Sequence, residues 1–299
     1  MNTTIQDVFR QHCKPLHPRP TGAVARLGPL AGIRAVLFDI YGTLFISASG
    51  DIGLADHCMR GDAAMEALRC VGIRLSVGGK EVVQRLHETI REEHVSARKR
   101  GVEYPEVDIR EIWKTVLGQL RRAGQIEGQS SPDLERLCVE YEVRTNPLWP
   151  MPGLGECLEA CRSMGLVLGI ISNAQFFTPP LFEALLGSTP DDLGFDEHLR
   201  YYSFEHGQAK PGTDLYQKAA RMLVSRGIAP VETLYLGNDM RNDIFPAKKV
   251  GFQTALFAGD ARSVRLREED PLVSGITPEL VIVQLSDLPR SLATPTPPS

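Results

Sequence analysis

Short segments with continuous rather than alternating apolar residues are the feature that most constrains the fold of this chain. Five strong segments and one weaker candidate span, in that order, residues 33–38, 165–171, 232–237, 253–257, 279–283 and 198–204. Continuous apolar runs, rather than alternating ones, are typical of strands in a parallel sheet that helices cover on both faces. We therefore predict an α/β fold with a doubly wound parallel sheet.

Helical patterns alternate with these strands in the second half of the chain. They span residues 152–165, 211–227 and 241–251. The first begins with proline and ends with glycine, which are the residues that helix ends prefer. This alternation predicts a Rossmann-like core formed by residues 31–48 and 151–290.

A long helical region separates the first predicted strand from the second. Residues 49–150 contain polar helical patterns and no convincing strand, and a stretch of that length predicts an inserted α-helical cap domain rather than a linker. Ligands of doubly wound folds bind at the carboxyl ends of the strands, so we expect the cap to cover an active site. We expect residues 1–30 to be a mobile or surface-draped extension and residues 291–299 to be a frayed tail.

The composition excludes several classes of function. The chain has 33 lysines and arginines against 37 aspartates and glutamates, a formal net charge of −4, which leaves no basic excess for binding nucleic acid. The longest apolar run, residues 164–171, is far shorter than the roughly 20 residues of a membrane-spanning helix. The chain begins without the apolar segment of a signal peptide, so we expect a cytoplasmic protein that binds no membrane.

Polar residues that suit anion chemistry follow the predicted strands. Asp39 directly follows the first strand, and Gly42 and Thr43 then predict a tight turn. Ser172 and Asn173 stand at the end of the second strand. Because the carboxyl ends of parallel strands meet at one edge of a sheet, this pattern predicts a site at that edge.

Two further motifs add a cation and more carboxylates. Lys210 lies just before a predicted helix, and the strand at 232–237 leads into Asn238, Asp239 and Asp243. Carboxylates that lie close together repel each other unless a lysine or a metal ion lies among them. A lysine placed there neutralises the charge of a carboxylate nucleophile and the charge that develops on a substrate.

The four motifs, in this order, resemble those of the haloacid dehalogenase superfamily of hydrolases. The resemblance covers about residues 39–251. It implies that Asp39 is a nucleophile, which forms a covalent aspartyl intermediate that water then hydrolyses. It also implies that Lys210 neutralises charge and that Ser172 binds the anionic group of the substrate. The implied substrate-binding residues beside them are Thr43, Asn173 and Gly42.

One departure from the family pattern concerns the general acid. Phosphatases of the superfamily have a second aspartate two residues after the nucleophile, which protonates the leaving group, whereas this chain has Tyr41. A phenol with a pKa near 10 donates hydrogen bonds but rarely releases its proton at neutral pH. The string Asp-x-Tyr-Gly-Thr resembles the haloacid dehalogenases, whose leaving halide needs no proton. Tyr41 is therefore a catalytic candidate that favours a different leaving group.

A second departure concerns the metal. The dehalogenases use none, whereas the fourth motif here keeps a spacing similar to that of the phosphatases, with Asn238 where their metal-binding aspartate stands. The resemblance implies a Mg²⁺ ion whose candidate ligands are Asp39, the main-chain carbonyl of Tyr41, Asn238, Asp239 and Asp243.

These observations leave three functions open. The first is metal-assisted hydrolysis of a small phosphorylated metabolite through the aspartate nucleophile. The second is hydrolysis of the carbon–halogen bond of a small 2-haloacid without a metal. The third is a catalytically weakened scaffold that binds a ligand or a partner. The first two share a small anionic substrate.

Overall fold

The computed structural model describes residues 3–49, 57–127 and 131–292. The strands of this part are β1 Ala35–Phe38, β2 Phe45–Ser47, β3 Arg74–Leu75, β4 Ile126–Glu127, β5 Leu148–Pro150, β6 Val167–Ser172, β7 Phe195–Tyr202, β8 Thr233–Gly237, β9 Gln253–Phe257 and β10 Leu280–Ile282. The helices are α1 Ile5–His12, α2 His57–Cys70, α3 Gly79–Lys99, α4 Ile109–Arg122, α5 Leu134–Thr145, α6 Leu154–Ser163, α7 Thr178–Leu186, α8 Ser203–His206, α9 Asp214–Ser225, α10 Phe245–Val250 and α11 Asp287–Leu292.

A parallel sheet of six strands forms the centre of the molecule. Its order is β10-β9-β8-β1-β6-β7, and every neighbouring pair runs parallel. All six apolar segments that the sequence singled out form these strands. All four residues of β1 are fully buried, as expected of a strand with helices on both faces. The predicted α/β fold class is confirmed.

Two apolar clusters cover the faces of this sheet. Val36 and Phe38 face a cluster that contains side chains of α1, α6, α7 and α11, whereas Ala35 and Leu37 face a cluster that contains side chains of α9 and α10. Each large apolar side chain buried in these clusters contributes roughly 1.5–3 kcal/mol. The sheet is thereby fixed from both sides, and its carboxyl edge is held in a defined position.

Helices α2, α3, α4 and α5 pack around a core of their own. Trp113, Leu68, Leu86 and Leu137 are buried in that core. The sequence predicted no strand in this region, but β3 pairs with β4 and β5 pairs with β2, both antiparallel. These strands have only two or three residues each, which is too short to leave an alternating pattern in the sequence. The division into a core and a cap at residues 49–150 stays a prediction.

The N-terminal segment differs from the extension that the sequence predicted. Residues of α1 contact α5 and α7, and its Val8 and Phe9 are fully buried. Thr4 and Asp7 form a capping box at its start, where Thr4 Oγ1 accepts from the Asp7 N–H and Asp7 Oδ2 accepts from the Thr4 N–H. A helix of two turns is too short for its periodicity to stand out among nearby prolines. The C-terminal helix ends at Leu292, and residues 293–299 of the predicted tail lie outside the described residues.

In the described part of the chain, every helix is either too short or too polar to cross a membrane.

Candidate active site

The predicted site residues come together at the carboxyl edge of the sheet. Asp39 follows β1 at the centre, Ser172 ends β6 on one side, and Asn238 follows β8 on the other side. These three neighbouring strands bring together motifs that lie far apart in the sequence. The edge borders a cavity of about 250 Å³, which is of a size for a small ligand.

Asp39 is almost fully buried, with 3% of its surface exposed. Its Oδ1 accepts hydrogen bonds from Lys210 Nζ at 2.6 Å and from Ser172 Oγ at 2.9 Å. Its Oδ2 lies 3.3 Å from Thr43 Oγ1. Three donors from three separate motifs therefore converge on one carboxylate, which fixes its orientation at the cavity.

Lys210 links two buried carboxylates. Its Nζ lies 2.5 Å from Asp243 Oδ1 in addition to its contact with Asp39. Burial alone favours the neutral amine, but the charges of Asp243 and Asp39 outweigh burial and raise the pKa of Lys210. Lys210 is therefore a cation at neutral pH, despite its burial.

Asn173 contacts the main chain of Lys210. Its Oδ1 accepts from the Lys210 N–H at 2.8 Å, and its Nδ2 donates to the Lys210 carbonyl at 3.3 Å. The sequence predicted substrate binding for Asn173. In the structure this side chain both lines the cavity and holds the backbone that carries the lysine.

Asp243 is held by three groups. Its Oδ1 accepts from the Tyr235 hydroxyl at 3.0 Å as well as from Lys210, and its Oδ2 accepts from the Asp239 N–H at 2.9 Å. Burial, together with the negative charges of Asp39 and Asp239, raises the pKa of Asp243 to about 6, although the charge of Lys210 opposes this rise. Both oxygens of this carboxylate thus have protein donors.

Asn238 and Asp239, adjacent in the sequence, point in different directions. Asn238 Nδ2 donates to the Ser263 carbonyl at 2.6 Å, and its Oδ1 lies 3.3 Å from Thr43 Oγ1, which also contacts Asp39. Asp239 caps the short π-helical turn that follows, since its Oδ1 accepts from the N–H of Arg241 at 2.8 Å. It also pairs with Arg267 at 2.8 Å. The amide oxygen of Asn238 therefore lies beside the hydroxyl that contacts Asp39, whereas the carboxylate of Asp239 is engaged by other partners.

Tyr41 lines the cavity but is not poised to release a proton. Its hydroxyl forms a 2.7 Å hydrogen bond with Thr178 Oγ1 at the start of α7. Burial raises the pKa of this phenol well above its usual value, and the hydrogen bond with Thr178 only partly opposes that rise. A proton relay at neutral pH needs a group with a much lower pKa.

Sequence reasoning did not single out several other cavity residues. They are Ser47, Glu106, Glu142, Asn146, Gln175, Phe177, Asn242, Ser263, Arg265 and Arg267. Most of them come from the helical region or from the segment after β9. No local pattern marks them, because their position depends on how distant segments pack over the sheet edge.

Gly42 is the site residue whose replacement is easiest to evaluate. Its φ is +85°, and a Cβ there would lie 2.5 Å from Ser263 Cβ and 2.7 Å from Asn238 Nδ2. Replacing Gly42 with alanine should therefore displace Asn238 as well as strain the backbone. We expect a loss of more than about 2 kcal/mol in the free energy of unfolding, measured in urea.

Gly72→Ala is a matched control for that change. Gly72 has a φ of +80°, but no atom lies within 4 Å of the point that a Cβ would occupy. The Gly72→Ala variant should therefore lose only the free energy of unfolding that corresponds to the backbone strain, about 1–2 kcal/mol. Equal losses in the two variants would show that the contact with Ser263 and Asn238 is unimportant.

The residues around Asp39 fit a Mg²⁺ ion with one carboxylate ligand. Within residues 3–49, 57–127 and 131–292, no three acidic, histidine or cysteine side chains come together as a metal cluster. However, Thr43 Oγ1 lies 3.3 Å both from Asp39 Oδ2 and from Asn238 Oδ1, and one hydroxyl proton satisfies only one of these oxygens. A hard oxygen is thus left underbonded at this point, which suits Mg²⁺.

The parallel α/β sheet and the buried lysine–aspartate pair at its carboxyl edge agree with the family that the sequence motifs resemble. The chain belongs to the haloacid dehalogenase-like hydrolases, whose family model matches residues 33–251, and it is thereby an enzyme of that superfamily. It is similar to a glyceraldehyde 3-phosphate phosphatase of Methanopyrus kandleri, with 27% identity over 244 residues that cover 80% of this chain and 90% of the relative.

Solved structures agree with the fold. A 2-haloacid dehalogenase from Pseudomonas syringae pv. tomato aligns with a TM-score of 0.54 at 16% identity, covering 87% of this chain and 97% of that one. A phosphatase of the same superfamily from Thermococcus onnurineus aligns with a TM-score of 0.50 at 18% identity, covering 86% and 97%. Both therefore share the fold of this chain.

Proposed function

We propose that this enzyme is a metal-assisted phosphohydrolase of small phosphorylated metabolites. The observation that carries the proposal is the contact of Asp39 with Lys210 and Ser172, beside the amide oxygen of Asn238. This arrangement combines a fixed nucleophile with a cation and a hydroxyl donor. The similarity to a phosphatase along most of the chain supports the same reaction class.

In this reaction the Asp39 carboxylate attacks phosphorus and forms an aspartyl phosphate, which water then hydrolyses. Lys210 contacts Asp39 and neutralises charge on the transferred group. Ser172 Oγ, 2.9 Å from the nucleophile, is placed to donate to a phosphoryl oxygen.

A bound Mg²⁺ would be held by Asp39, the main-chain carbonyl of Tyr41 and Asn238, and it would supply positive charge to the phosphoryl oxygens. Asp239 fits this role less well, because Arg267 and the helix cap already engage its carboxylate. Asp243 contacts Lys210 through one oxygen and the Asp239 N–H through the other. We propose that it sets the position of the lysine.

Metal removal tests this proposal. Protein stripped with EDTA should release almost no phosphate from p-nitrophenyl phosphate or acetyl phosphate. Addition of Mg²⁺ should restore release by at least about 100-fold, because the cation supplies several kcal/mol of charge stabilisation. The measurement is phosphate release with and without Mg²⁺, and Ca²⁺ is the control for a general ionic effect. Release that is insensitive to EDTA would contradict the proposal.

Tyr41 favours one alternative, which is hydrolysis of a 2-haloacid. Its phenol occupies the place of the general acid while bound to Thr178, and a leaving halide needs no proton. Asp39 would then displace the halide from carbon, and water would hydrolyse the ester. Chloride release from 2-chloropropionate in the presence of EDTA would establish this function and replace the first.

A further inference from the structure

A phosphate ester with a poor leaving group needs a proton donor that Tyr41 does not supply. Its hydroxyl is bonded to Thr178, and burial holds its pKa well above the usual value. The cavity that Asp39 borders has two other carboxyl groups outside the four motifs, those of Glu106 and Glu142. Each comes from the helical region between β2 and β5.

Glu142 lies in the last turn of α5 and is oriented by Asn146. Asn146 Oδ1 accepts from Ser47 Oγ at 2.8 Å and from Ser49 Oγ at 2.9 Å, which directs its Nδ2 towards Glu142. That Nδ2 donates to Glu142 Oε1 at 3.1 Å. A protonated carboxyl group accepts through its carbonyl oxygen and carries its proton on the other. When Glu142 is protonated, the bond to Oε1 therefore leaves the proton on Oε2.

Glu106 has a different environment. Its Oε1 accepts from the Val107 N–H at 2.9 Å, and its Oε2 is bonded to Ser203 Oγ at 2.8 Å. The Glu106 N–H also donates to the Gly207 carbonyl at 3.1 Å, which docks this loop on the segment that leads to Lys210. Both carboxyl oxygens of Glu106 therefore bind protein groups, and its contacts indicate a docking role.

We propose that Glu142 is the general acid and base of this enzyme and replaces the aspartate that the family has at the position of Tyr41. This inference rests on the proposed phosphohydrolase function. In the first step the bond from Asp39 to phosphorus forms, the bond to the leaving oxygen breaks, and the Glu142 proton passes to that oxygen. In the second step water attacks phosphorus, its proton returns to Glu142, and the bond to Asp39 breaks. The sum is one ester and one water converted to an alcohol and inorganic phosphate.

The groups around Glu142 are consistent with this role. Burial raises the pKa of Glu142, while the hydrogen bond from Asn146 and the charge of Arg60 on α2 lower it in part. Burial raises the pKa of Cys13, which follows α1, and the charge of Glu142 raises it further. Burial is the main cause of the raised pKa of Tyr41, and the hydrogen bond with Thr178 opposes it. The charge of Glu142 adds to the rise, so the two side chains lie within electrostatic range.

The test compares leaving groups of similar size. Phenyl phosphate and p-nitrophenyl phosphate are assayed with Mg²⁺ for the wild type, Glu142→Gln and, as the matched control, Glu106→Gln. The rate measured is that of the first step, the release of phenol or nitrophenol in a single turnover, because hydrolysis of the aspartyl phosphate is common to both esters. Since general acid catalysis contributes about 10²–10⁴-fold, Glu142→Gln should slow this step for phenyl phosphate by at least about 100-fold. It should slow the same step for p-nitrophenyl phosphate by less than about fivefold, because nitrophenolate leaves readily without a proton. Glu106→Gln should affect the two esters equally.

Each outcome decides between the inference and the function on which it rests. Equal losses for the two esters in the first step of Glu142→Gln would overturn the role of Glu142, even if the wild type is an active phosphatase. No release by the wild type from either ester would overturn the proposed function itself. Should Glu142→Gln fail to fold, the pH profile of the wild-type single-turnover rate replaces it. A fall on the alkaline side for phenyl phosphate alone supports the role, and parallel profiles refute it.

Discussion

Replacing Asp39 with asparagine is expected to abolish turnover. The amide keeps the shape of the carboxylate and can still accept from Ser172, but it is a very poor nucleophile towards phosphorus or carbon. Loss of a nucleophile removes the covalent route altogether, so we expect kcat to fall by at least about 10³-fold. The measurement is steady-state phosphate release, together with mass spectrometry of the quenched enzyme, which should show a phosphorylated Asp39 peptide only in the wild type.

The control for this change is Asp214→Asn. Asp214 is exposed at the start of α9, where a carboxylate stabilises the helix by about 0.3–1 kcal/mol. This variant should therefore lose a little stability and keep its activity. A rate for Asp39→Asn within tenfold of the wild type would remove Asp39 from the mechanism of either candidate reaction.

Replacing Lys210 with methionine should destabilise the protein as well as inactivate it. The change leaves the buried carboxylates of Asp39 and Asp243 without their shared cation. Removing one partner of a buried ion pair costs about 3–5 kcal/mol, because the other charge stays buried and uncompensated. The loss should shrink as the pH falls, because burial raises the pKa of Asp243 to about 6 and its protonation removes one of the charges that need compensation. Urea unfolding at several pH values measures it.

Lys114→Met provides the comparison for this variant. Lys114 pairs with Glu111 at 3.0 Å, but about two thirds of each side chain is exposed. Such a surface pair contributes roughly 0–1 kcal/mol. If the two lysine variants lost equal stability, the buried triad of Asp39, Lys210 and Asp243 would contribute no more than a surface contact.

The parts of the site that the sequence predicted are those that depend on local order along the chain. Asp39, Ser172 and Asn238 each follow an apolar strand, and parallel strands bring their carboxyl ends together. The cavity residues Glu106 and Glu142 were not predicted. They reach the same cavity only because the helical region folds back over the sheet edge, and no spacing in the sequence encodes that docking.

The fourth motif shows a finer limit of prediction. Asn238 and Asp239 follow the same strand, so their spacing offers no basis for deciding which side chain lies beside Thr43 and Asp39. The Ser263 carbonyl decides it by accepting from Asn238, while Arg267 pairs with Asp239. Both partners lie more than twenty positions further along the chain, beyond the reach of a local pattern.

The N-terminal helix has a consequence for the motion of the molecule. Phe9 lies 6.2 Å from the ring of Phe177, a cavity residue at the start of α7, while His12 on the same helix lies 3.8 Å from Glu140 on α5. Any movement that separates α5 from α7 must break the contacts of α1 with one of these two helices. Exposing Val8 and Phe9 in water costs roughly 1.5–3 kcal/mol for each side chain. Helix α1 thus holds α5 and α7 together and sets a minimum energy for separating them.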